Sequence, residues 1–202
     1  MRKISKLIIV VLMSILLVGC FPKPESKLQA YLDSIKTMDL SSENTLYLSD
    51  YFDTPTATES TLNIGLDQST TTYSQAFTDR YVQLFQGFEY TLGKSTVEGD
   101  KASVELTITT YPMGDLMRQY IMNIITNSLT WAFSGMSEEE MNQKMNDSFI
   151  ELTDTAEMTY TKTVTVYLVK GEKDWLMVGG TTNNDLFNAL TGGMIDLANS
   201  MK

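Results

Sequence analysis

The fold is decided by the stretch Lys101-Ala-Ser-Val-Glu-Leu-Thr-Ile-Thr-Thr-Tyr111, in which apolar and polar residues alternate. One side of this extended chain carries only apolar residues, namely Ala102, Val104, Leu106 and Ile108. A period of two is typical of a strand with one buried and one solvated face. Glu98-Gly99-Asp100 is a turn signal, and residues 88–92 alternate before it. The sequence therefore predicts a β-hairpin here.

A second hairpin is predicted toward the C-terminus. Residues 156–170 alternate in the same way, with an apolar face made of Met158, Tyr160, Val164, Val166 and Leu168. Lys162 interrupts that face, so one end of the strand is expected to be solvated. A turn at 171–174 leads into a short strand at 175–179.

Apolar residues at helical spacing predict five helices, at residues 26–40, 73–86, 116–133, about 138–152 and 183–201. Asp115 is expected to cap the third helix, and Ser137 with Glu140 forms a capping box for the fourth. Gly192-Gly193 weakens the last helix. The Ser- and Thr-rich segment 41–72 is expected to be mostly loop, with a short helix near 46–52.

The order of elements predicts an α+β fold. Helices, a hairpin, a helical insertion, a second hairpin and a terminal helix follow one another without βαβ alternation. The sheet should therefore be antiparallel and packed with helices. Residues 26–202 suit a single domain.

The N-terminus has the pattern of an export signal. Basic residues (Arg2, Lys3 and Lys6) precede an apolar run, Leu7–Val18, of 12 residues, too short for the ~20 that span a bilayer. No Ala-x-Ala-like cleavage site is present. The run ends in Leu17-Val18-Gly19-Cys20, and Cys20 is the only cysteine of the chain.

These four residues resemble the lipobox of bacterial lipoproteins. The resemblance implies that residues 1–19 are a signal peptide, and that Cys20 carries a thioether-linked diacylglycerol and an acylated amino terminus, with palmitate as a typical chain. It also implies a membrane lipid as partner and a place on the extracytoplasmic face of the cell membrane, with 20–25 as a short tether. Two or more acyl chains anchor stably, whereas a single chain does not.

Composition excludes several chemistries. The chain has no histidine and no cysteine besides Cys20, which rules out His- or Cys-based zinc sites, Ser-His-Asp triads and Cys-His dyads. Without the leader, 12 basic residues face 25 acidic ones, a formal charge of −13. Such a surface repels nucleic acid. No metal, cofactor or nucleic-acid partner is expected.

The domain resembles small Gram-positive lipoproteins of unknown function with a cystatin-like, nuclear-transport-factor-like fold. Four loose motifs carry the resemblance: the helix soon after the lipobox, Tyr90 before the turn 98–102, the strand 164–170 with Gly171 and Trp175, and the segment 184–192. Leu176-Met177 replaces the β-branched pair that often follows this tryptophan. The resemblance implies a curved sheet wrapping helices around a conical cavity, with no assigned catalytic residues.

Enzymes of that cone-shaped class suggest one set of candidate residues. Some of them use a buried aspartate with tyrosines for isomerisation or dehydration. The corresponding candidates here are Asp115, Tyr90, Tyr111, Tyr120 and Tyr160. Helix capping by Asp115 and packing by the tyrosines explain the same residues more simply.

A cluster of methionines gives a second candidate site: Met113, Met117, Met122, Met136, Met141 and Met145. Methionines either fill a core or form an adaptable binding surface. The sequence thus favours a non-enzymatic module of the cell envelope that binds an apolar small molecule or another envelope protein. The alternative is a cone-fold isomerase or dehydratase with a small hydrophobic substrate. A weaker third hypothesis is a signalling peptide released from residues 13–19.

Overall fold

The computed structural model describes residues 21–37, 73–178 and 180–201. The predicted leader, Cys20 and the 41–72 segment with its short helix lie outside these residues.

Four antiparallel strands form one sheet in the order β1-β2-β3-β4. They are β1 (Glu89–Glu98), β2 (Lys101–Thr110), β3 (Tyr160–Lys170) and β4 (Trp175–Met177). Both predicted hairpins are confirmed, although β3 begins four residues later than expected and β4 ends at Met177. Thr110 of β2 pairs with Tyr160 of β3, so the chain leaves and re-enters the sheet at the same end.

Six α-helices lie within the described ranges: α1 (Pro24–Thr37), α2 (Gln75–Gln86), α3 (Met113–Phe133), α4 (Glu138–Asp154), α5 (Asn184–Leu190) and α6 (Met194–Ser200). The α+β class is therefore confirmed. Helix α1 begins at Pro24, inside the predicted tether, because proline is favoured in the first turn, where its missing N–H is not needed. Ser137 and Glu140 form the expected capping box at the start of α4.

The prediction of one terminal helix over 183–201 was wrong. Gly192 and Gly193 adopt φ values of 55° and 87° and separate α5 from α6. Both values lie in the left-handed region, which glycine occupies without the steric cost of a Cβ. The two short helices consequently form a corner, and the carbonyl of Gly192 accepts a 2.9 Å hydrogen bond from the N–H of Gly114.

The predicted capping role of Asp115 was also wrong. Helix α3 starts at Met113, and Pro112 occupies the capping position without a side-chain hydrogen bond. Asp115 lies in the first turn, where its negative charge still favours the positive end of the helix dipole.

The sheet is open, and among the described residues helices cover only one of its faces. Helices α1 and α5 pack on that face, and the core between them includes Leu28, Leu32, Val104, Leu106, Val166, Leu168 and Leu186, all fully buried. The other face is lined with threonines, which bond across the strands at 2.8 Å (Thr107 to Thr163) and 3.0 Å (Thr109 to Thr161).

A second core lies under the root of the α3–α4 hairpin, where these helices meet α2. Its buried residues are Phe77, Tyr81, Leu84, Met113, Leu116 and Phe149. The Phe77 and Phe149 rings lie 4.2 Å apart between centroids. The half of this hairpin nearest its turn, residues 121–148, contributes no residue to the second core.

Candidate functional site

Asp115 does not lie in an apolar pocket. Its side chain is 67% exposed and lies 3.7 Å from Arg118 of the same helix face. A general acid of the buried type requires desolvation to raise its pKa. The geometry of Asp115 is instead that of a surface carboxylate with a neighbouring guanidinium.

Three of the four candidate tyrosines are divided between the two cores: Tyr90 packs against the core under the sheet, whereas Tyr111 and Tyr120 pack against the second core. The hydroxyl of Tyr90 donates a 2.6 Å hydrogen bond to Asp33 of α1. Burial, assisted by that bond and by the charge of Asp33, raises the pKa of Tyr90 to about 12. Tyr120 belongs to the second core, where its ring packs edge-on against Phe149 at 5.6 Å. Burial raises its pKa to about 12 as well.

The other two tyrosines pack against glycines. A Cβ placed on Gly87 would lie 2.7 Å from the Tyr111 ring, and one on Gly193 would lie 3.3 Å from the Tyr160 ring. Burial raises the pKa of Tyr160. Tyr90 packs against the core under the sheet and bonds to the exposed Asp33, whereas Tyr120 packs against the second core. The structure therefore does not bring the five candidates together as one acid–base set.

Side chains pack between the sheet and its helices, and seventeen buried residues of the described chain form that core. The buried polar residues of the described chain are one lysine, two threonines and three asparagines, with no carboxylate. One pocket, of about 210 Å³, lies on the outer side of α4 and is lined by Met136, Glu140, Gln143, Lys144 and Asp147.

The most unusual surface lies on α3. Four large apolar side chains are exposed there: Met122 (57%), Ile125 (59%), Leu129 (68%) and Phe133 (88%). Successive helical residues are turned by roughly 100°, so these four fall within roughly 80° of one another. We call them the apolar stripe.

The apolar stripe faces away from α4. Tyr120, Ile124 and Trp131 lie on roughly the opposite side of α3, and all three are half-buried. Tyr120 contacts Phe149 of α4 on that side. Helix α3 is thus apolar on two sides, and α4 covers only one of them. A helix that is apolar around most of its circumference is normally buried on all of those sides.

Charge is absent along this part of the helix. No residue from Gln119 to Ser137 is charged, although the chain as a whole carries 15 basic and 25 acidic residues. The charged residues nearest the apolar stripe on its own face are Asp115 and Arg118, which pair with each other at the root of the helix.

The methionine cluster has mixed burial. Met113 is buried in the second core, whereas Met122 belongs to the exposed stripe. Met117, Met136, Met141 and Met145 are half-buried. Sequence reasoning drew attention to the methionines but missed Ile125, Leu129 and Phe133 as surface residues. The available signal was that α3 carries apolar residues on more than one side of the helix.

No protein-family profile matches the chain, and neither a curated protein nor a solved structure is significantly similar to it. Within the described ranges, no helix is long and apolar enough to cross a membrane. The same residues contain no group of three or more carboxylates or other metal-binding side chains placed to hold a metal ion.

Proposed function

We propose that the protein is a lipid-anchored module of the bacterial cell envelope that binds an apolar partner through the apolar stripe of α3. The observation that carries this proposal is the exposure of four large apolar side chains on one uncharged helix face. Contiguous exposed apolar surface of this kind marks interaction sites in soluble domains. In this proposal, binding occurs on the helical insertion, where these exposed apolar side chains lie.

The anchoring part of the proposal rests on Leu17-Val18-Gly19-Cys20 and on the packing of the residues that follow. The Phe21 ring lies 5.7 Å from the Trp175 ring, edge to face. The indole N–H of Trp175 donates a 2.8 Å hydrogen bond to the carbonyl of Pro22. A lipid on Cys20 would therefore hold the domain close to the bilayer, with little freedom in the tether.

The proposal includes kinship with cystatin-like, nuclear-transport-factor-like lipoproteins. Its support is an antiparallel meander covered by helices on one face, with a helical insertion between the hairpins. The cone-fold isomerase finds no such support, because Asp115 is exposed and the described residues include no buried carboxylate for the tyrosines to accompany.

Fractionation of cells that express the full chain tests the anchor. The membrane fraction of wild type should contain a chain that has lost residues 1–19 and incorporates radiolabelled palmitate. Cys20→Ser should abolish both the cleavage and the labelling, whereas Gly19→Ala should keep both, since alanine is also small. Cleavage and labelling that persist in Cys20→Ser would refute the lipid anchor.

Site-specific photo-crosslinking in the same cells tests the binding surface. A benzophenone side chain in place of Phe133 should form a covalent adduct. The same group in place of Thr130, an exposed residue turned away from the apolar stripe, should not. Equal labelling at both positions would contradict a specific surface.

A further inference from the structure

We propose that the occupant of the apolar stripe is a second copy of this chain, with the two α3 helices packed antiparallel about a two-fold axis. This inference rests on the proposed function in taking the apolar stripe as the binding surface, and the lipid anchor enters only as an aid to association.

The spacing of the residues indicates a helical partner. Met122, Ile125, Leu129 and Ala132 follow the a-d-a-d pattern of a heptad repeat, and Phe133 extends it at the tip. Side chains at these intervals form a narrow seam that fits another helix lying alongside. A small molecule would need a concave site, whereas the apolar stripe lies on the convex surface of a helix.

The absence of charge favours a second copy over a charged partner. A face meant for a basic or acidic helix would carry complementary charges beside its apolar residues. None occurs between Gln119 and Ser137. Two copies of a strongly acidic protein repel each other at most surfaces, but two copies of this face can pack together without bringing like charges close to one another.

Charge also decides the orientation. A parallel pair would place Arg118 beside Arg118 of the partner and align the two helix dipoles. An antiparallel pair places the charged root of each helix, with its Asp115–Arg118 contact, beside the uncharged tip of the other. A two-fold interface of this kind uses the same patch on both subunits and closes after two copies.

The apolar stripe supplies about half of the area that a standard stable interface buries on each partner. The apolar stripe offers on the order of 400 Å² of apolar side-chain surface per copy, from four side chains that are 57–88% exposed. A standard stable interface buries about 800 Å² per partner, so flanking polar side chains must supply the remainder. Anchoring both copies to one membrane would raise their effective concentration.

A bilayer is a less suitable occupant. Phe21 packs beside Lys170 and Trp175, where β3 ends, whereas α3 starts after the Thr110–Tyr160 pair at the other end of the same strands. Ten strand residues separate those ends by roughly 33 Å. The apolar stripe also lacks the lysines and arginines that hold an amphipathic helix on anionic lipid.

Cysteine crosslinking of the full chain in its host membrane tests contact and orientation. With a short bismaleimide, Ile125→Cys should give a band of twice the chain mass, because Ile125 lies near the two-fold axis. Asn123→Cys, exposed on another side of α3, and the wild type, with Cys20 alone, should not. Phe133→Cys should not crosslink to itself, since the two tips lie at opposite ends. A Phe133→Cys dimer without an Ile125→Cys dimer would overturn the antiparallel arrangement.

Sedimentation equilibrium of the full chain in density-matched detergent tests the affinity. The wild-type protein should have the mass of a dimer. Leu129→Glu should raise the dissociation constant at least about 100-fold, because each of the two copies loses one buried leucine. Thr130→Glu introduces the same charge one residue away and should leave the constant unchanged. Far-UV circular dichroism should show that both variants are folded.

Three outcomes would overturn the inference. One is a single-copy mass for the wild type at all concentrations. Another is equal weakening by Leu129→Glu and Thr130→Glu. The third is a single-copy wild type that binds phosphatidylcholine–phosphatidylglycerol vesicles and loses binding with Leu129→Glu. This last result would make lipid the occupant and leave the apolar stripe as a binding surface. The binding surface itself would be refuted by the other experiment, if photo-crosslinking showed no difference between Phe133 and Thr130.

Discussion

The side chain of Asn183 pairs with the backbone of Tyr167 as a neighbouring strand would. Its amide oxygen accepts a 2.9 Å hydrogen bond from the Tyr167 N–H, and its amide nitrogen donates to the Tyr167 carbonyl at 3.0 Å. A third bond, also 3.0 Å, runs from the same nitrogen to the carbonyl of Val178. Asn183 is 1% exposed. The Tyr167 carbonyl also accepts a 2.9 Å bond from the Val178 N–H, so the buried amide completes the pairing at the point where β4 ends.

Replacement of Asn183 by aspartate should destabilise the protein by about 3 kcal/mol at neutral pH. The amide nitrogen, which donates to two carbonyls, would be replaced by a carboxylate oxygen that cannot donate to either of them. The folded state should raise the pKa of that carboxyl above its unfolded value. The folded variant then holds its proton more tightly, so its stability should fall as pH rises. Chemical denaturation of the full chain in mild detergent measures both effects.

Asn184→Asp is the matched control, since Asn184 is exposed at the start of α5. Its free energy of unfolding should stay within about 0.5 kcal/mol of the wild type. A similar loss for both variants would show that the Asn183 bonds do not stabilise the fold.

Gly192→Ala should cost more than 3 kcal/mol of folding free energy, roughly, because two penalties add. The residue has φ 55°, and a Cβ there would lie 2.0 Å from the Tyr111 carbonyl oxygen. Gly135 provides the comparison, since it has φ 73° but open space around its Cβ position. Gly135→Ala should lose only the conformational part, about 1–2 kcal/mol. Equal losses would mean that crowding contributes nothing.

Acid should weaken the contact between α1 and β1. The Ser95 hydroxyl donates a hydrogen bond to the Glu25 carboxylate. This bond is the main reason that the pKa of Glu25 lies below its ordinary value of 4.5, although burial acts in the opposite direction. A lowered folded pKa stabilises the fold above the unfolded pKa, and this stabilisation is lost as pH falls through the folded value.

Denaturation curves between pH 7 and pH 3 check this expectation. The stability advantage of wild type over Glu25→Gln should shrink below pH 4.5. In a Ser95→Ala background that pH dependence should largely disappear, because the bond that causes it is gone. A pH dependence that survives unchanged would assign it to other carboxylates.

Much of the fold could be predicted because its signals are local. The alternation in 101–111 gives β2, and the Ser137–Glu140 capping box marks the start of α4 within a few residues. The sequence indicated only that Gly192-Gly193 would weaken the last helix. It did not predict that the helix would end there, since the spacing of apolar residues does not report a positive φ. The pairing of Asn183 with Tyr167, 16 residues earlier, depends on tertiary contact and leaves no pattern in the sequence.

The candidate site was only partly predictable for a related reason. Periodicity identifies α3 as an apolar helix, but it does not say which side meets α4. Tyr120 and Leu129 are both apolar positions of the predicted helix, yet Tyr120 packs against Phe149 whereas Leu129 is 68% exposed. The number of neighbours around a helix is a tertiary property, and that number separates a core residue from a binding residue.

The apolar stripe should contribute nothing to the stability of a single copy. At concentrations well below the dissociation constant, Leu129→Glu and wild type should therefore have the same melting temperature, whereas Phe149→Ala, at a fully buried position, should lose about 3–5 kcal/mol. As concentration rises, association of folded copies should raise the wild-type melting temperature by a few degrees and leave Leu129→Glu unchanged. Thermal scans over a thousandfold range of concentration check this. A wild-type melting temperature that does not depend on concentration, with a lower value for Leu129→Glu, would place Leu129 in the fold of one chain and not between two.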